Sequence, residues 1–115
     1  AVFTAPEIGD VGLSEAQAKA QGISVKTAVV QFRELGKAQA MSELPGMFKI
    51  VSDGATGKVL GVHIAGAHAT DLIAEAGLAL RLGASVRDIA ATIHAHPTLA
   101  EGLYEAALSL VEAGG

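Results

Sequence analysis

The sequence predicts an α+β fold, an antiparallel β-sheet covered by helices, and the order of its patterns carries this prediction. Residues 23–64 hold β-branched runs, whereas the residues after Gly66 show apolar positions at helical spacing. Strands first and helices last are typical of an antiparallel sheet with helices packed on it. With 115 residues, half of them hydrophobic, the chain is expected to fold as one domain, residues 1–115.

A short strand is expected over residues 1–4, ahead of a loop at Pro6, because the residue before a proline favours extended backbone. A helix follows this loop. Ser14 and Gln17 have the spacing of a capping box, and Gly22 stands where a helix often ends in a left-handed residue. This part of the chain therefore predicts a short helix between Ser14 and Gly22.

The chain from residue 23 to residue 64 contains the remaining candidates for strands of the sheet. Residues 23–32 are rich in β-branched side chains and predict a strand, whereas residues 36–44 favour neither helix nor strand. Residues 47–52 and 58–64 are apolar runs of strand length, and residues 53–57 between them contain two glycines that can supply positive φ. A β-hairpin is therefore predicted over these last three ranges.

Three helices are predicted after Gly66. The first ends at Gly83, the second begins at Ser85 and continues to about Thr92, and the third covers residues 99–111. The small side chains of the first helix are expected to form core and, in part, a subunit interface. Its apolar stripe consists of Ala69, Leu72, Ile73, Ala76, Ala79 and Leu80.

Composition excludes several classes of function. Because the chain contains no cysteine, it has neither disulfides nor thiolate metal sites. Its net charge of −4 gives no electrostatic support for binding nucleic acid, and no apolar run is long enough to cross a membrane. With few aromatic residues the core is expected to be aliphatic. The chain is expected to be soluble and, since it lacks an initial Met, to be a fragment of a longer protein.

Two histidines separated by one residue, His94 and His96, would project to the same side of an extended segment, as two metal ligands could. Glu75, Asp71 and His68 are candidates for a third ligand only by their nearness in the sequence. The H-x-H spacing alone is a weak signal. Metal binding is therefore the least supported interpretation of this pair.

A second interpretation makes His96 a proton-transfer residue that Glu101 orients. Pro97 would fix the turn after the histidine, and Thr98 could cap the helix that carries Glu101. A carboxylate on one ring nitrogen leaves the other nitrogen to take a proton. Neither a cysteine nucleophile nor a glycine-rich phosphate loop accompanies this pair, so it would form only part of a catalytic site.

The third interpretation is structural. A histidine at a strand or loop end often does no more than bind backbone groups. This is the favoured interpretation for His63 and His68 and, on the residues alone, for His94 as well.

Several motifs together resemble the C-terminal dimerisation, or interface, domain of dihydrolipoamide dehydrogenases, which are FAD-dependent pyridine nucleotide-disulfide oxidoreductases. The most specific is His96-Pro97-Thr98-Leu99-Ala100-Glu101, preceded by Ile93-His94-Ala95. The resemblance spans nearly the whole chain and implies the fold of that domain. The other matching blocks are residues 3–7, 11–15, 36–38, 48–50, 61–66 and 71–75.

The resemblance implies a role for three residues. His96 would be the acid/base that faces the partner subunit's flavin and redox disulfide, and Glu101 would hold its ring. The backbone of Pro97, together with His96, would lie near that flavin. No metal is implied. The dihydrolipoyl group would be the substrate and NAD the acceptor.

The resemblance also implies what the chain lacks and where it acts. The FAD- and NAD-binding domains are absent from residues 1–115, so the isolated chain is expected to bind neither cofactor and to be inactive. The parent would be a cytoplasmic homodimer that contributes to cell redox homeostasis. The alternative is a non-catalytic dimerisation module of a related flavoprotein disulfide reductase, which would have no need of the His96 and Glu101 pair.

Overall fold

Four antiparallel strands form one sheet in the computed structural model. The structure describes residues 8–31, 46–66, 69–92, 94 and 101–112. Four helices accompany the sheet within these residues, so the predicted α+β class is confirmed. The strands are β1 (Ile8–Gly12), β2 (Val25–Gln31), β3 (Gly46–Asp53) and β4 (Val59–Gly66); the helices are α1 (Glu15–Ala20), α2 (Ala69–Leu82), α3 (Val86–Ala91) and α4 (Glu101–Glu112). The order of the strands in the sheet is β1-β4-β3-β2.

The predicted β-hairpin is confirmed as β3 and β4. Gly57 has a φ of +79°, which only glycine adopts without strain. The other loop glycine has a different role, because Gly54 is not among the positive-φ glycines. A Cβ at Gly54 would lie 2.9 Å from the carbonyl oxygen of Ser24, so close backbone approach explains this glycine. The prediction of positive φ was therefore right for Gly57 and wrong for Gly54.

Strand β1 was not predicted, since a loop was expected between Pro6 and the first helix. Its sequence contains Gly9 and Gly12, which have low strand propensity. A Cβ at Gly9 would lie 2.8 Å from the carbonyl oxygen of Ala69, so glycine lets the start of α2 approach the strand. Tertiary packing thus explains why residues with low strand propensity form β1. The predicted strand over residues 1–4 and the undecided residues 36–44 lie outside the described residues.

The helices begin and end where their capping residues stand. Ser14 and Gln17 form the predicted capping box of α1, and Gly22 has the expected positive φ. Ser85 caps α3 in the same way, with its partner at Asp88. Gly83, with a φ of +69°, ends α2. Helix α4 is described from Glu101 onward, and the start of its predicted range lies outside the described residues.

Helices α2 and α4 cover one face of the sheet, α2 over β1 and β4, and α4 over β2 and β3. Helix α3 packs on α4. Helix α1 lies on the opposite face, where its Glu15 binds Lys49 of β3. The core between the sheet and the helices is mainly aliphatic, as predicted. Its largest fully buried side chains include Phe48, Ile50, Ile64, Leu103 and Val62.

Phe48 corrects the expectation of a purely aliphatic core. This ring is fully buried in β3 and is the largest side chain that the described core encloses. Gly102 of α4 lies directly over it, and a Cβ on Gly102 would overlap the ring carbons. The absence of a side chain at Gly102 therefore lets α4 lie close against β3.

Replacing Gly102 by Ala is expected to destabilise the domain. The added methyl group has no room beside Phe48, and overpacking of this kind costs about 1–3 kcal/mol. Gly77→Ala in α2 is the matched control, because a Cβ there meets no atom within 4 Å. The control should raise stability by about 0.5–1 kcal/mol through helix propensity. Urea unfolding of both variants measures the two effects, and equal stabilisation by both would contradict the close packing.

Candidate functional site

His94 lies at a junction of α2, α3 and α4. Its side chain is only 6% exposed. Nδ1 lies 2.9 Å from the carbonyl oxygen of Thr92, and Nε2 lies 2.6 Å from Oε2 of Glu75 in α2. The ring of Tyr104 in α4 is tilted 45° to the histidine ring, with 5.7 Å between their centroids. Three elements thus contact one imidazole.

The end of α3 explains how the chain reaches this junction. Thr92 takes extended backbone angles after the helix, and its hydroxyl donates to the carbonyl of Asp88 at 2.8 Å. A threonine that binds the preceding turn while leaving helical geometry ends the helix and changes the direction of the chain. His94 follows two residues later and meets Glu75, which is the negative charge in the middle of the apolar part of α2.

Both ring nitrogens of His94 have a partner. The Thr92 carbonyl can only accept, so the hydrogen of that bond belongs to Nδ1. Oε2 of Glu75 lies within hydrogen-bond distance of Nε2, so the ring links α2 to the segment after α3.

A polar cavity of about 380 Å³ opens beside this pair. The ring of His94 and the residue Glu101, which begins α4, both line it. A carboxylate and an imidazole that line the same cavity are groups that acid/base chemistry uses. The remaining lining residues are Ala90, Ala91, Thr92 and Tyr104.

An apolar groove of about 360 Å³ adjoins the cavity, between α2 and α3. Leu78 and Leu82 of α2 lie along it with 59% and 71% of their surfaces exposed. Thr92 lines both the groove and the cavity, and Glu75 lines the groove while its partner His94 lines the cavity. The Glu75–His94 pair therefore separates an apolar surface from a polar opening.

The structure describes only part of the predicted site. Glu101 lies on the polar cavity, whereas His96, Pro97 and Thr98 lie outside the described residues. The assigned roles of His96 and Glu101 accordingly stay predictions. His68 also lies outside the described residues, and no side-chain position is described for Asp71.

Two candidates for metal ligands, His94 and Glu75, do come together, but they bind each other. Within residues 8–31, 46–66, 69–92, 94 and 101–112, no group of three His, Cys, Asp or Glu side chains could hold a metal ion. Sequence reasoning named Glu75 only as a distant possibility. A stronger signal was available, because Glu75 is a single charge within the apolar run from Leu72 to Leu80.

Comparison with known proteins identifies the family. Residues 1–107 match the family model described as the pyridine nucleotide-disulphide oxidoreductase dimerisation domain. The chain belongs to this family. The dimerisation domain is 47% identical over 108 residues to a dihydrolipoyl dehydrogenase of Bacillus subtilis and 46% identical over 107 residues to one of Haloferax volcanii. These matches cover 94% and 93% of this chain but only 23% and 22% of the relatives, so the chain spans less than a quarter of their length.

Solved structures confirm the fold of the dimerisation domain. LpdA of Mycobacterium tuberculosis superposes with a TM-score of 0.85 at 28% identity, covering 91% of this chain and 23% of that one. The HOCl-induced flavoprotein disulfide reductase RclA of Escherichia coli superposes with a TM-score of 0.82 at 21% identity, covering 88% of this chain and 23% of that one. The second likeness shows the fold alone.

His63 of the dimerisation domain belongs to a different environment. It lies on the sheet face opposite α2 and α4, where Nδ1 is 2.8 Å from Oδ1 of Asp10 and Nε2 is 3.0 Å from the carbonyl oxygen of Leu13. Asp10 is its cross-strand partner in β1. His63 thus ties β4 to the residue after β1, as the structural interpretation predicted, and takes no part in the cavity of His94.

Glu15 is another charged side chain on the sheet face opposite α2 and α4. Lys49 Nζ lies 2.9 Å from its Oε1, and Lys19 Nζ lies 3.0 Å from its Oε2. The hydrogen bond from Lys49, followed by that from Lys19, holds the pKa of Glu15 below its ordinary value of 4.5. The lowered pKa means that these contacts stabilise the fold above pH 4.5 and are lost as the pH falls through the value of the folded state.

Lys49→Met is expected to raise the pKa of Glu15 toward its ordinary value, because the main hydrogen bond to the carboxylate disappears. The variant should lose stability relative to the parent sequence near neutral pH, and this difference should shrink in acid. Titration of the Glu15 carboxyl carbon by NMR, with urea unfolding at each pH, measures both effects. Lys26→Met on β2 removes the same charge from an exposed position and should leave the pKa of Glu15 unchanged. Equal effects of the two variants would contradict the assignment.

Proposed function

We propose that this chain is the C-terminal dimerisation domain, residues 1–115, of a cytoplasmic FAD-dependent dihydrolipoamide dehydrogenase that uses NAD as acceptor. The names of the dihydrolipoyl dehydrogenases that share about 46% of its residues support the proposal. The observation that carries it is the polar cavity, because His94 and Glu101 both line it. His96 and Pro97 lie between these two residues in the sequence.

His96 is the proposed acid/base. It takes the proton of a dihydrolipoyl thiol, so that the resulting thiolate attacks the redox disulfide of the partner subunit. Glu101 accepts a hydrogen bond from the other ring nitrogen, which orients the ring and stabilises its protonated form. At the start of α4 the carboxylate also interacts favourably with the positive end of the helix dipole.

FAD and NAD are proposed to be bound by other domains of the longer protein. FAD supplies the electron transfer between the dithiol and the nicotinamide when it is bound. This chain would contribute only His96 and the backbone of Pro97 beside the partner's flavin, so the isolated chain is expected to be inactive. Among the described residues, no helix is long and apolar enough to cross a membrane.

In the full-length flavoprotein, His96→Gln is expected to slow reduction of the flavin by dihydrolipoamide about 10²-fold or more, the range for losing a general acid/base. Glu101→Gln should slow it less, because the imidazole remains and loses only its orienting charge. Stopped-flow measurement of flavin reduction gives both rates. His63→Gln is the matched control, because His63 binds Asp10 and Leu13 on the other sheet face and should leave the rate unchanged.

The same experiment separates the enzyme from a non-catalytic dimerisation module. If His96→Gln left flavin reduction as fast as in the His63→Gln control, the acid/base role of His96 would be wrong. A non-catalytic dimerisation module would then be the better interpretation of the chain.

The apolar groove is the proposed contact between two copies of the chain. Leu78 and Leu82 expose large apolar surfaces on one side of α2, and small residues such as Ala79 and Gly83 beside them allow close approach. Since the groove adjoins the polar cavity at Thr92, association there would bring the partner subunit next to Glu101. A homodimer assembled on this surface would complete each site with residues of both subunits.

Leu78→Glu and Leu82→Glu are each expected to weaken self-association, because a charge would be buried in an apolar contact. Sedimentation analysis over micromolar to millimolar concentrations should shift the dimer dissociation constant upward by about tenfold or more, the effect of losing roughly 1.4 kcal/mol. Val29→Glu is the control, since Val29 is also an exposed apolar residue but lies on β2, away from the groove. Equal weakening by the control would show that the groove is not the contact.

A further inference from the structure

Three polar side chains line the apolar groove between α2 and α3, and each has a partner within the chain. Thr92 donates its hydroxyl hydrogen to the carbonyl of Asp88 at 2.8 Å. The carboxylate of Asp88 accepts a hydrogen bond of 2.8 Å from the backbone amide of Ser85. Oε2 of Glu75 lies 2.6 Å from Nε2 of His94. The groove can therefore lose its water without leaving these polar groups unpaired.

The rest of the groove is suited to contact with another protein surface. Ala79 and Ile89 line it with only 8% and 3% of their surfaces exposed, whereas Leu78 and Leu82 are largely exposed. An apolar centre with paired polar groups at its edge is typical of a protein interface. Because the family model that matches residues 1–107 describes a dimerisation domain, the partner that fits this surface is a second copy of the chain.

Glu75 differs from the other two polar side chains in where its partner comes from. Asp88 and Thr92 are paired locally, within α3 and its capping residues. The partner of Glu75 is 19 positions away in the sequence, and its ring is only 6% exposed. Removing water from an unpaired carboxylate is far more costly than removing it from an unpaired hydroxyl group. The pairing of Glu75 is therefore the one that most affects whether the groove can be buried.

We propose that His94 makes the groove fit for self-association, because it pairs the Glu75 carboxylate that would otherwise be buried alone against a second copy of the chain. The proposal rests on the groove being the contact between two copies, as proposed above. His94 lines the cavity rather than the groove, so it acts on association through Glu75. It is needed only while residue 75 is acidic, and this dependence distinguishes the role from a general contribution to stability.

Three variants of the chain test the proposal by sedimentation analysis over micromolar to millimolar concentrations. His94→Leu removes the partner of Glu75 and should raise the dimer dissociation constant about tenfold or more, since burial of an unpaired charge opposes association. Glu75→Leu should leave the constant unchanged or lower it, because His94 then borders the polar cavity, where water can reach it. The double variant should associate as tightly as the parent sequence, since neither member of the pair remains.

Two further variants serve as controls. His94→Gln retains an amide that can donate a hydrogen bond to Glu75, so it should recover most of the association that His94→Leu loses. His63→Leu removes a histidine that is paired with Asp10 on the opposite face of the sheet, and it should leave the dissociation constant unchanged. Urea unfolding of every variant separates a loss of association from a loss of folding.

The asymmetry between the two single variants decides the outcome. Equal weakening of association by His94→Leu and Glu75→Leu would overturn the proposal, because both would then act only by disturbing the junction of the helices. Unchanged association of His94→Leu, or weak association of the double variant, would also overturn it. If His94→Leu does not fold, Glu75→Leu decides, since a dissociation constant above that of the parent sequence contradicts the proposed role.

Leu78→Glu and Leu82→Glu separate this inference from the contact on which it rests. If both leave the dissociation constant unchanged, or if the parent sequence is a monomer at every concentration, the groove is not the contact and the role of His94 fails with it. If they weaken association and His94→Leu does not, the groove remains the contact and the role of His94 alone is wrong.

Discussion

Helix α4 can lie on this sheet only because Gly102 has no side chain. The ring of Phe48 fills the space that a Cβ would need, so the first turn of the helix rests directly on β3. That turn carries Glu101, which faces the polar cavity, and Tyr104, which contacts the ring of His94. A larger residue at position 102 would displace the helix and both of these side chains together. The candidate site thus depends on a packing contact that takes no part in its chemistry.

Around this contact, the proposed function gives the polar and the apolar surface of the helical layer separate roles. The groove along α2 offers apolar area for association, and the cavity beside α4 offers groups that can exchange protons. The Glu75–His94 pair lies at the boundary, with one member on each side. In the proposed homodimer, the surface that binds the partner and the surface that serves the partner's reaction are neighbours. Association and catalysis would then depend on the same relative placement of α2 and α4.

Local signals explain why much of this fold could be predicted from the sequence. The capping box at Ser14, the five residues between two strand patterns, and the helical spacing that ends at Gly83 are each determined by neighbours in the chain. Strand β1 could not be found in this way. Gly9 has a poor strand propensity. The reason for a glycine at this position is the close approach of Ala69, which only the three-dimensional structure shows.

The site was predictable to a smaller extent. The His96 and Glu101 pair came from resemblance to a family motif, since spacing alone left metal binding and structural interpretations open. The bond between Glu75 and His94 joins residues 19 positions apart and depends on how α2 and the end of α3 pack. No periodicity in the sequence reports such a contact. The burial of Phe48 in the core could likewise not be predicted from a composition dominated by aliphatic residues.

The order of strands in the sheet has a consequence for the entropy of folding. Strands β3 and β4 meet across a connection of five residues, from Gly54 to Lys58, whereas Asp10 of β1 and its partner His63 of β4 are 53 positions apart. Closing the longer loop costs about 2 kcal/mol more chain entropy than closing the shorter one. The hairpin of β3 and β4 can therefore form at a lower entropic cost than the pairing of β1 with β4. The strand whose Gly9 admits α2 is thus also the strand whose pairing spans the longest stretch of chain in the sheet.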